Sequence, residues 1–261
     1  MTTSDNTRTP YADERKQHIL NVLRSRGRIE ANDVADSLGV TGETIRKDLI
    51  QLERQGLLRR VHGGAVPMQY LSFEPAVVSR TEFMSEKARI ARAALAHVPA
   101  QGSVLIDAGS TTAQLVEQFP GDRELTVYTN TLPVALSLLT RPLLTVFTLG
   151  GRLRSKTLAE VDDWAARSLA EINVDVAFLG TNGISLMRGL TTPDPAEAAI
   201  KRLMLACAQR RILLADHSKV GIVSGTKHGD LTDVDLLITD TGLTDAQLAE
   251  LTETGMSVER T

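Results

Sequence analysis

From residue 103 onward the chain alternates short apolar runs with helix-like segments, and that alternation leaves few folds open. The runs lie at 104–106, 125–128, 143–149, 174–179, 212–214 and 234–238, and the helical segments at about 112–118, 133–139, 162–171, 196–209 and 245–252. Short apolar strands separated by helices imply an α/β domain: an open parallel sheet covered on both faces. In such sheets ligands bind beyond the carboxyl ends of the strands.

Those ends are legible. The first run is followed by Asp107-Ala108-Gly109-Ser110-Thr111-Thr112 and the second by Thr129-Asn130-Thr131. The third ends in Gly150-Gly151-Arg152, the fourth in Gly180-Thr181-Asn182-Gly183 and the fifth in Ala215-Asp216-His217-Ser218-Lys219. Small, hydroxyl, amide and charged residues recur there while aromatics are absent, which suits a small, polar, anionic ligand. Gly109 opens a helix whose first amides lack intrahelical partners, and Ser110, Thr111 and Thr112 add hydroxyl donors, so the segment predicts an anion cradle. Neither a phosphate-loop GK[S/T] nor a G-x-G-x-x-G is present. A phosphate on a small sugar is the economical occupant, with Lys219 balancing charge and Asn130 and Asn182 serving hydroxyls. The segment 189–201 supports two readings. Asp194 as N-cap, Pro195 at the first helical position, Glu197 in a capping box and an i, i+4 pair of Glu197 with Lys201 explain it structurally. The same carboxylates could instead accept hydrogen bonds from sugar hydroxyls.

The first 66 residues read differently. Helical spacing of Ile19, Leu20 and Leu23, then Val34, Ala35 and Leu38, then Ile45, Leu49 and Leu52 gives three short helices, with Gly27 and Gly56 as stops and Thr41 capping the third. The second and third are joined through Leu38-Gly39-Val40-Thr41, a helix-turn-helix. The outer face of the third carries Glu43, Lys47, Ile50 and Arg54, flanked by Thr44 and Arg46. Arg46 and Lys47 are the donors a groove-reading helix needs near its start, and Thr44 is placed to reach a base or a phosphate. Ile50 would touch a thymine methyl or pack on another element. Two extended runs around Leu57–Val66 would form a wing that brings Arg59, Arg60 and His62 to the phosphate backbone. Residues 1–66 carry 11 Lys/Arg against 9 Asp/Glu, a net +2, while the rest of the chain is −5. That sign fits an N-terminal piece that meets a polyanion. Aromatics are only 3% of the chain, which favours duplex DNA over stacked single strands.

No apolar run approaches the roughly 20 residues needed to span a bilayer, so no membrane role is expected. The start lacks an apolar core for an export signal, and the cytoplasm is the expected compartment. One cysteine, Cys207, excludes an internal disulfide, and the five histidines show no metal-ligand spacing, so neither a metal nor a cofactor is expected.

Val40-Thr41-Gly42-Glu43-Thr44-Ile45-Arg46-Lys47-Asp48-Leu49 and Gly56-Leu57-Leu58-Arg59-Arg60-Val61-His62-Gly63-Gly64-Ala65 resemble the DNA-binding signature of DeoR-family transcriptional regulators. That family usually has a second Arg where Lys47 stands; Lys keeps the charge without the bidentate fork. DAGSTT, the Thr129-Asn130 pair, Gly150-Gly151, GTNGIS at 180–185, GLTTPDPAEAAIK and ADHSKVG resemble the same family's effector domain, which is similar in fold to sugar-phosphate isomerases. The resemblance implies a winged helix-turn-helix over 1–66, a linker over 67–81 and an effector domain over 82–261. It places Asp107, Gly109, Ser110, Thr111, Thr112, Asn130, Gly183, Glu197, Lys201 and Lys219 near a sugar phosphate. It also implies a non-enzymatic repressor of a sugar-utilisation operon, acting on double-stranded operator DNA as a homo-oligomer, dimer or tetramer. The wording resembles that of actinobacterial fructose-operon repressors, which implies fructose 1-phosphate or fructose 6-phosphate as effector. The rival is an isomerase-like enzyme fused to a DNA reader, with Asp107, Asp194, Glu197 and Lys201 as its candidate proton-transfer groups.

Overall fold

The computed structural model describes residues 11–26, 28–54, 57–61, 63–67 and 74–261. Gly27, Gly56 and His62, three of the residues singled out above, lie outside them. The chain divides into two compact units, Met1–Tyr70 and Leu71–Thr261.

In the first unit α1 (Ala12–Arg26), α2 (Ala31–Leu38) and α3 (Gly42–Arg54) pack around a common core. Ile19, Leu23, Val34, Ile45, Leu49 and Leu52 are the buried stripes that the spacing predicts. Thr41 caps α3: its Oγ1 accepts from Thr44 N at 3.2 Å and its carbonyl from Ile45 N at 3.2 Å. The wing is present as β2 (Leu58–Val61) paired antiparallel with β3 (Gly64–Pro67). A short β1 (Ile29–Glu30), absent from the sequence reading, pairs with the other edge of β3. Gly64 is obligatory there, because a Cβ on it would overlap the carbonyl of Ile29. The buried Asp48 on α3 receives Arg15 Nε from α1 at 2.8 Å and fixes the angle between the two helices.

In the second unit α4 (Met84–Ala94) leads into β4 (Gly102–Ile106), α5 (Ser110–Glu117), β5 (Leu125–Thr129), α6 (Leu132–Leu138) and β6 (Leu144–Thr148). A small antiparallel pair, β7 (Arg152–Leu153) and β8 (Glu160–Val161), precedes α7 (Asp162–Ala170) and β9 (Val174–Leu179). Then come β10 (Gly183–Ser185), β11 (Gly189–Thr192), α8 (Pro195–Cys207), β12 (Ala208–Leu214), β13 (Thr226–Gly229), β14 (Leu236–Thr239), α9 (Asp245–Glu253) and β15 (Ser257–Arg260). Seven strands form one parallel sheet in the order β15-β14-β12-β9-β4-β5-β6, and β10, β11 and β13 form an antiparallel flap. Ile90, Leu115 and Leu138 of α4, α5 and α6 cover one sheet face. Ala165, Ile200 and Leu251 of α7, α8 and α9 cover the other. All six expected strands and all five expected helices beyond residue 103 are found within a few residues of their places; the largest departure is β12, which begins at Ala208, four residues before the expected run. The final strand β15 and the flap went unpredicted, because their residues lack a sustained apolar run.

The spacing of Phe83, Ile90, Ala94 and Leu95 in the sequence predicts a helix over 82–97 that turns those residues toward a core and leaves Lys87, Arg89 and Arg92 in solvent; three parts of that expectation are corrected. The helix spans Met84–Ala94 and continues as a 3₁₀ turn, Leu95–His97. Phe83, expected in the core, precedes the helix with a left-handed φ of 55° and sets its ring edge against His217 at 4.9 Å. Lys87, expected in solvent, is buried, and its Nζ donates to the carbonyls of Glu82 (2.6 Å) and Arg80 (3.2 Å). Burial lowers the Lys87 ammonium below its ordinary range, opposed by nearby Asp216. The expected linker is described only at residue 67 and from residue 74 on. Its second part lies against the larger unit, where Val77 N bonds Lys156 O at 2.7 Å and the buried Glu74 carboxylate receives Arg80 (3.1 Å) and Arg154 (2.9 Å).

Asp48→Ala is expected to destabilise the first unit by about 1–3 kcal/mol through the lost charge-assisted bonds. Urea unfolding of the full chain would show the first unit's transition moving to lower denaturant while that of the second stays in place.

Candidate functional site

Each unit carries one candidate surface. On the first, Arg46 and Lys47 are exposed on α3, and Lys47 is paired with Glu43 one turn earlier at 3.3 Å. No ion pair holds Arg46 among the described residues, so it is the group most open to a base edge. Thr44, expected to reach DNA, shares its hydroxyl with Thr41 at 2.9 Å and is half-buried, serving the cap first. Arg60 is clasped by Glu53 through both its amide (2.8 Å) and Nε (2.6 Å), which ties the wing to α3 and holds the Glu53 carboxyl below its ordinary range. Arg59 lies on β2 beside it.

In the second unit the chain leaves β4 toward β5 and β6, then crosses back to β9 on the other side of β4. The carboxyl ends of β4 and β9 therefore flank the topological switch point, the place where such sheets leave a crevice. At that point Asp107 is 1% exposed and accepts from Gly180 N (3.0 Å) and from Lys201 Nζ of α8, which also donates to Gly180 O (2.9 Å). This pairing corrects the expected Glu197–Lys201 pair: Lys201 takes the buried Asp107 carboxylate, and Glu197, also buried, is held by Arg154 and Thr157 instead. Beside it, α5 begins at Gly109. Its first closed amide is Ala113 N to Gly109 O at 3.0 Å, which leaves the amides of Ser110, Thr111 and Thr112 without backbone partners among the described residues. Ser110 is half-buried, whereas the Thr112 hydroxyl turns inward to Gly109 O at 3.0 Å.

Several other expected residues prove to be fasteners of the rim. Thr129 Oγ1 bonds Ile106 O (2.8 Å) and Asn130 Oδ1 accepts from Ala108 N (2.8 Å), stitching the ends of β4 and β5 together. Gly150 N is taken by Glu160 at 2.8 Å, and Gly151 passes where a Cβ would overlap the Val161 carbonyl. Gly183 runs equally close to the Ile222 carbonyl. Asn182 Oδ1 accepts from Thr192 Oγ1 at 2.9 Å. Lys219, a third exposed at the end of β12, reaches Ser218 Oγ at 3.2 Å and Asp216 at 3.8 Å.

Asp194 is the N-cap of α8, accepting from Ala196 N (2.9 Å) and Glu197 N (3.0 Å). No capping box forms, because the Glu197 carboxylate turns to Arg154 and Thr157. Arg154, which the sequence reading passed over, also reaches Asp194 (3.1 Å) and Glu74 (2.9 Å). Burial works against its charge, but Glu197 and Glu74 outweigh it and raise the guanidinium's affinity for its proton. A lone arginine in a loop gives no sequence signal of such a role. Also missed was His228, 1% exposed, whose Nε2 lies 3.1 Å from Thr181 Oγ1. Thr181 spends its single proton on the carbonyls of Gly183 and Thr191, so the ring Nε2 is the donor; Nδ1 has no partner among the described residues. Burial, with Lys201 and Arg202 close by, holds the imidazole neutral far below its ordinary range.

Among known proteins, the profile of the DeoR C terminal sensor domain matches residues 82–241, and that of the DeoR-like helix-turn-helix domain matches residues 15–69. The HTH-type transcriptional regulator GlpR of Haloferax volcanii is 34% identical over 94% of this chain and 96% of its own length. The HTH-type transcriptional repressor GlcR of Bacillus subtilis is 32% identical over 88% and 89%. Ribose 5-phosphate isomerase A of Neisseria gonorrhoeae overlaps 52% of this chain and 53% of its own at a TM-score of 0.38 and 16% identity, a partial likeness of shape.

Two outcomes are expected. Lys201→Met strands a buried carboxylate and costs about 3–5 kcal/mol, most of it recovered when Asp107→Asn is added; denaturant midpoints of the single and double variants check this. His228 stays neutral when folded, whereas the unfolded chain protonates it below about pH 6.5. Stability from this group is thus complete above that pH and falls as the pH drops, by up to about 1.4 kcal/mol per pH unit. His228→Gln should flatten the acid side of a melting-temperature profile.

Proposed function

The chain belongs to the DeoR family of DNA-binding transcriptional regulators, and on that premise we propose that it is a cytoplasmic repressor of a sugar-utilisation operon whose operator affinity a phosphorylated sugar controls. The observation that carries this reading is the run of uncommitted amides at Ser110, Thr111 and Thr112, opening α5 at the switch point of the sheet. Such amides favour a phosphate. Lys219 adds positive charge, and Asn130 and Asn182 supply amide groups for sugar hydroxyls. Fructose 1-phosphate or fructose 6-phosphate is the proposed effector.

Binding regulates only if it favours one arrangement of the protein over another. Arg154 offers the route. It holds Asp194 and Glu197 at the start of α8 and, in the same grip, Glu74. A sugar hydroxyl that donates a hydrogen bond to these carboxylates competes with the guanidinium, and the contest reaches Glu74, just beyond the segment that leads from the helix-turn-helix unit. The DNA partner is duplex operator, read by α3 of a homo-oligomer, dimer or tetramer, because paired reading heads match half-sites about 34–36 Å apart. Asp107 is committed to Lys201 and Glu197 to Arg154 and Thr157, which supports a sensor without turnover over an isomerase.

A mobility-shift assay on the DNA upstream of the protein's own gene, with and without each fructose phosphate, tests the reading. The active sugar is expected to change operator affinity at least about tenfold, a coupling of about 1.4 kcal/mol, and to raise the thermal midpoint. Arg154→Gln should keep the thermal shift and lose most of the change in affinity. Operator affinity indifferent to salt, or to every sugar phosphate tried, would refute the proposal.

A further inference from the structure

Glu53 stands in the last turn of α3. The chain leaves that helix with Leu57 N on Leu52 O at 3.0 Å and enters β2, where Leu58 is fully buried in the core of the first unit. Residues two apart share a face of a strand, so Arg60 continues the face that Leu58 turns to the core, one step beyond it. There Glu53 meets it with both oxygens: Oε1 accepts from Arg60 N at 2.8 Å and Oε2 from Nε at 2.6 Å. β2 is an edge strand of its sheet, and Glu53 takes the Arg60 amide in place of a further strand. One carboxylate thus ties the main chain and the side chain of the same residue to the helix.

Stability does not account for this arrangement. The side chains of Arg60 and Glu53 are 44% and 35% exposed, and pairs in that setting contribute little. The clasp fixes geometry instead. With N and Nε taken, Nη1 and Nη2 of Arg60 have no partner among the described residues. A guanidinium held by its Nε edge offers those two amino groups as a rigid fork, which matches paired phosphate oxygens. Arg46 on the same helix is the contrast, since no ion pair holds it among the described residues. Phosphate contacts set register and orientation, whereas base contacts carry sequence.

We propose that Glu53 is a positioning residue for DNA: it holds Arg60 as a fixed clamp for one backbone phosphate, at a distance from the bases set by α3 itself. The proposal rests on the reading of the first unit as a binder of duplex DNA. Its sign runs against simple electrostatics, because a carboxylate beside a phosphate repels it. Neutralising Glu53 strengthens DNA binding if charge alone counts, and weakens it if the glutamate positions Arg60.

Binding of the full-length protein to two duplexes across a salt series tests this. Each duplex is about 30 base pairs, long enough for paired half-sites; one is taken from the DNA upstream of the protein's own gene and the other is a scramble of it. Log affinity falls with log salt by about 0.9 for each phosphate contacted. Arg60→Ala should make that slope shallower by about 0.9 for each reading head on the duplex. Glu53→Gln should weaken binding at least about threefold and make the slope shallower too. Added to Arg60→Ala, it should change nothing further. Arg60→Lys keeps the charge and the glutamate but lacks the fork, and should behave like Glu53→Gln. The losses should be equal on both duplexes, because a phosphate carries no sequence. The urea transition of the first unit should stay in place in all these variants. Tighter binding by Glu53→Gln, a wild-type slope in Arg60→Ala, wild-type binding by Arg60→Lys, or an equal effect of Glu53→Gln with and without Arg60 would overturn the proposal and leave the regulator standing. A wild type that binds neither duplex would overturn both.

Discussion

An ion pair out of reach of water organises the effector unit. Asp107 closes β4, Gly180 closes β9 and Lys201 projects from α8; one hydrogen-bonded knot joins all three. A charge in such a place is tolerated only when partnered and hydrogen-bonded, so the sequence cannot place β4, β9 and α8 in any other mutual arrangement without stranding a carboxylate or an ammonium. The strand ends at the switch point inherit their positions from that restriction. The free amides of α5 sit beside the knot because the strand before them ends in it.

Around this fixed centre lies a second layer of charge with a different character. Arg154 serves three carboxylates at once, from Glu74, Asp194 and Glu197, and Thr157 shares the load. Unlike the Lys201 knot, Arg154 draws in the start of the unit: Glu74 precedes α4, whereas Asp194 and Glu197 open α8, so one part-buried guanidinium ties the beginning of the unit to its centre.

The sheet was legible because its strands are buried on both faces and read as unbroken apolar runs; Val174–Leu179 is found with those bounds. The helix-turn-helix was legible for the opposite reason, a clean apolar stripe on each short helix. Strands without an apolar run, such as the two-residue β1 and Ser257–Arg260 of β15, gave no local signal. The candidate site was legible as a set of strand ends but not as a division of labour. Nothing local separates Thr129, spent on Ile106, from Ser110, left at the switch point, and nothing marks Glu74, Arg154 or His228, which meet across long stretches of chain: Arg154 with Glu74 and Glu197, His228 with Thr181. Lys201 shows the limit most plainly: its nearest carboxylate in sequence is not its partner in space.

The separation between Asp107 and Lys201 is 94 residues, and it sets an order of events. The stretch from β4 to β6 is built of consecutive βα turns and needs no distant segment, so its pairing forms at low loop-closure cost while Asp107 keeps its water. The carboxylate sheds that water only when α8 arrives with its ammonium. The knot is thus a late clasp in assembly: it contributes little to the speed of folding and much to the slowness of coming apart. With such a clasp in place, the sheet beneath the switch point opens only when α8 itself comes away.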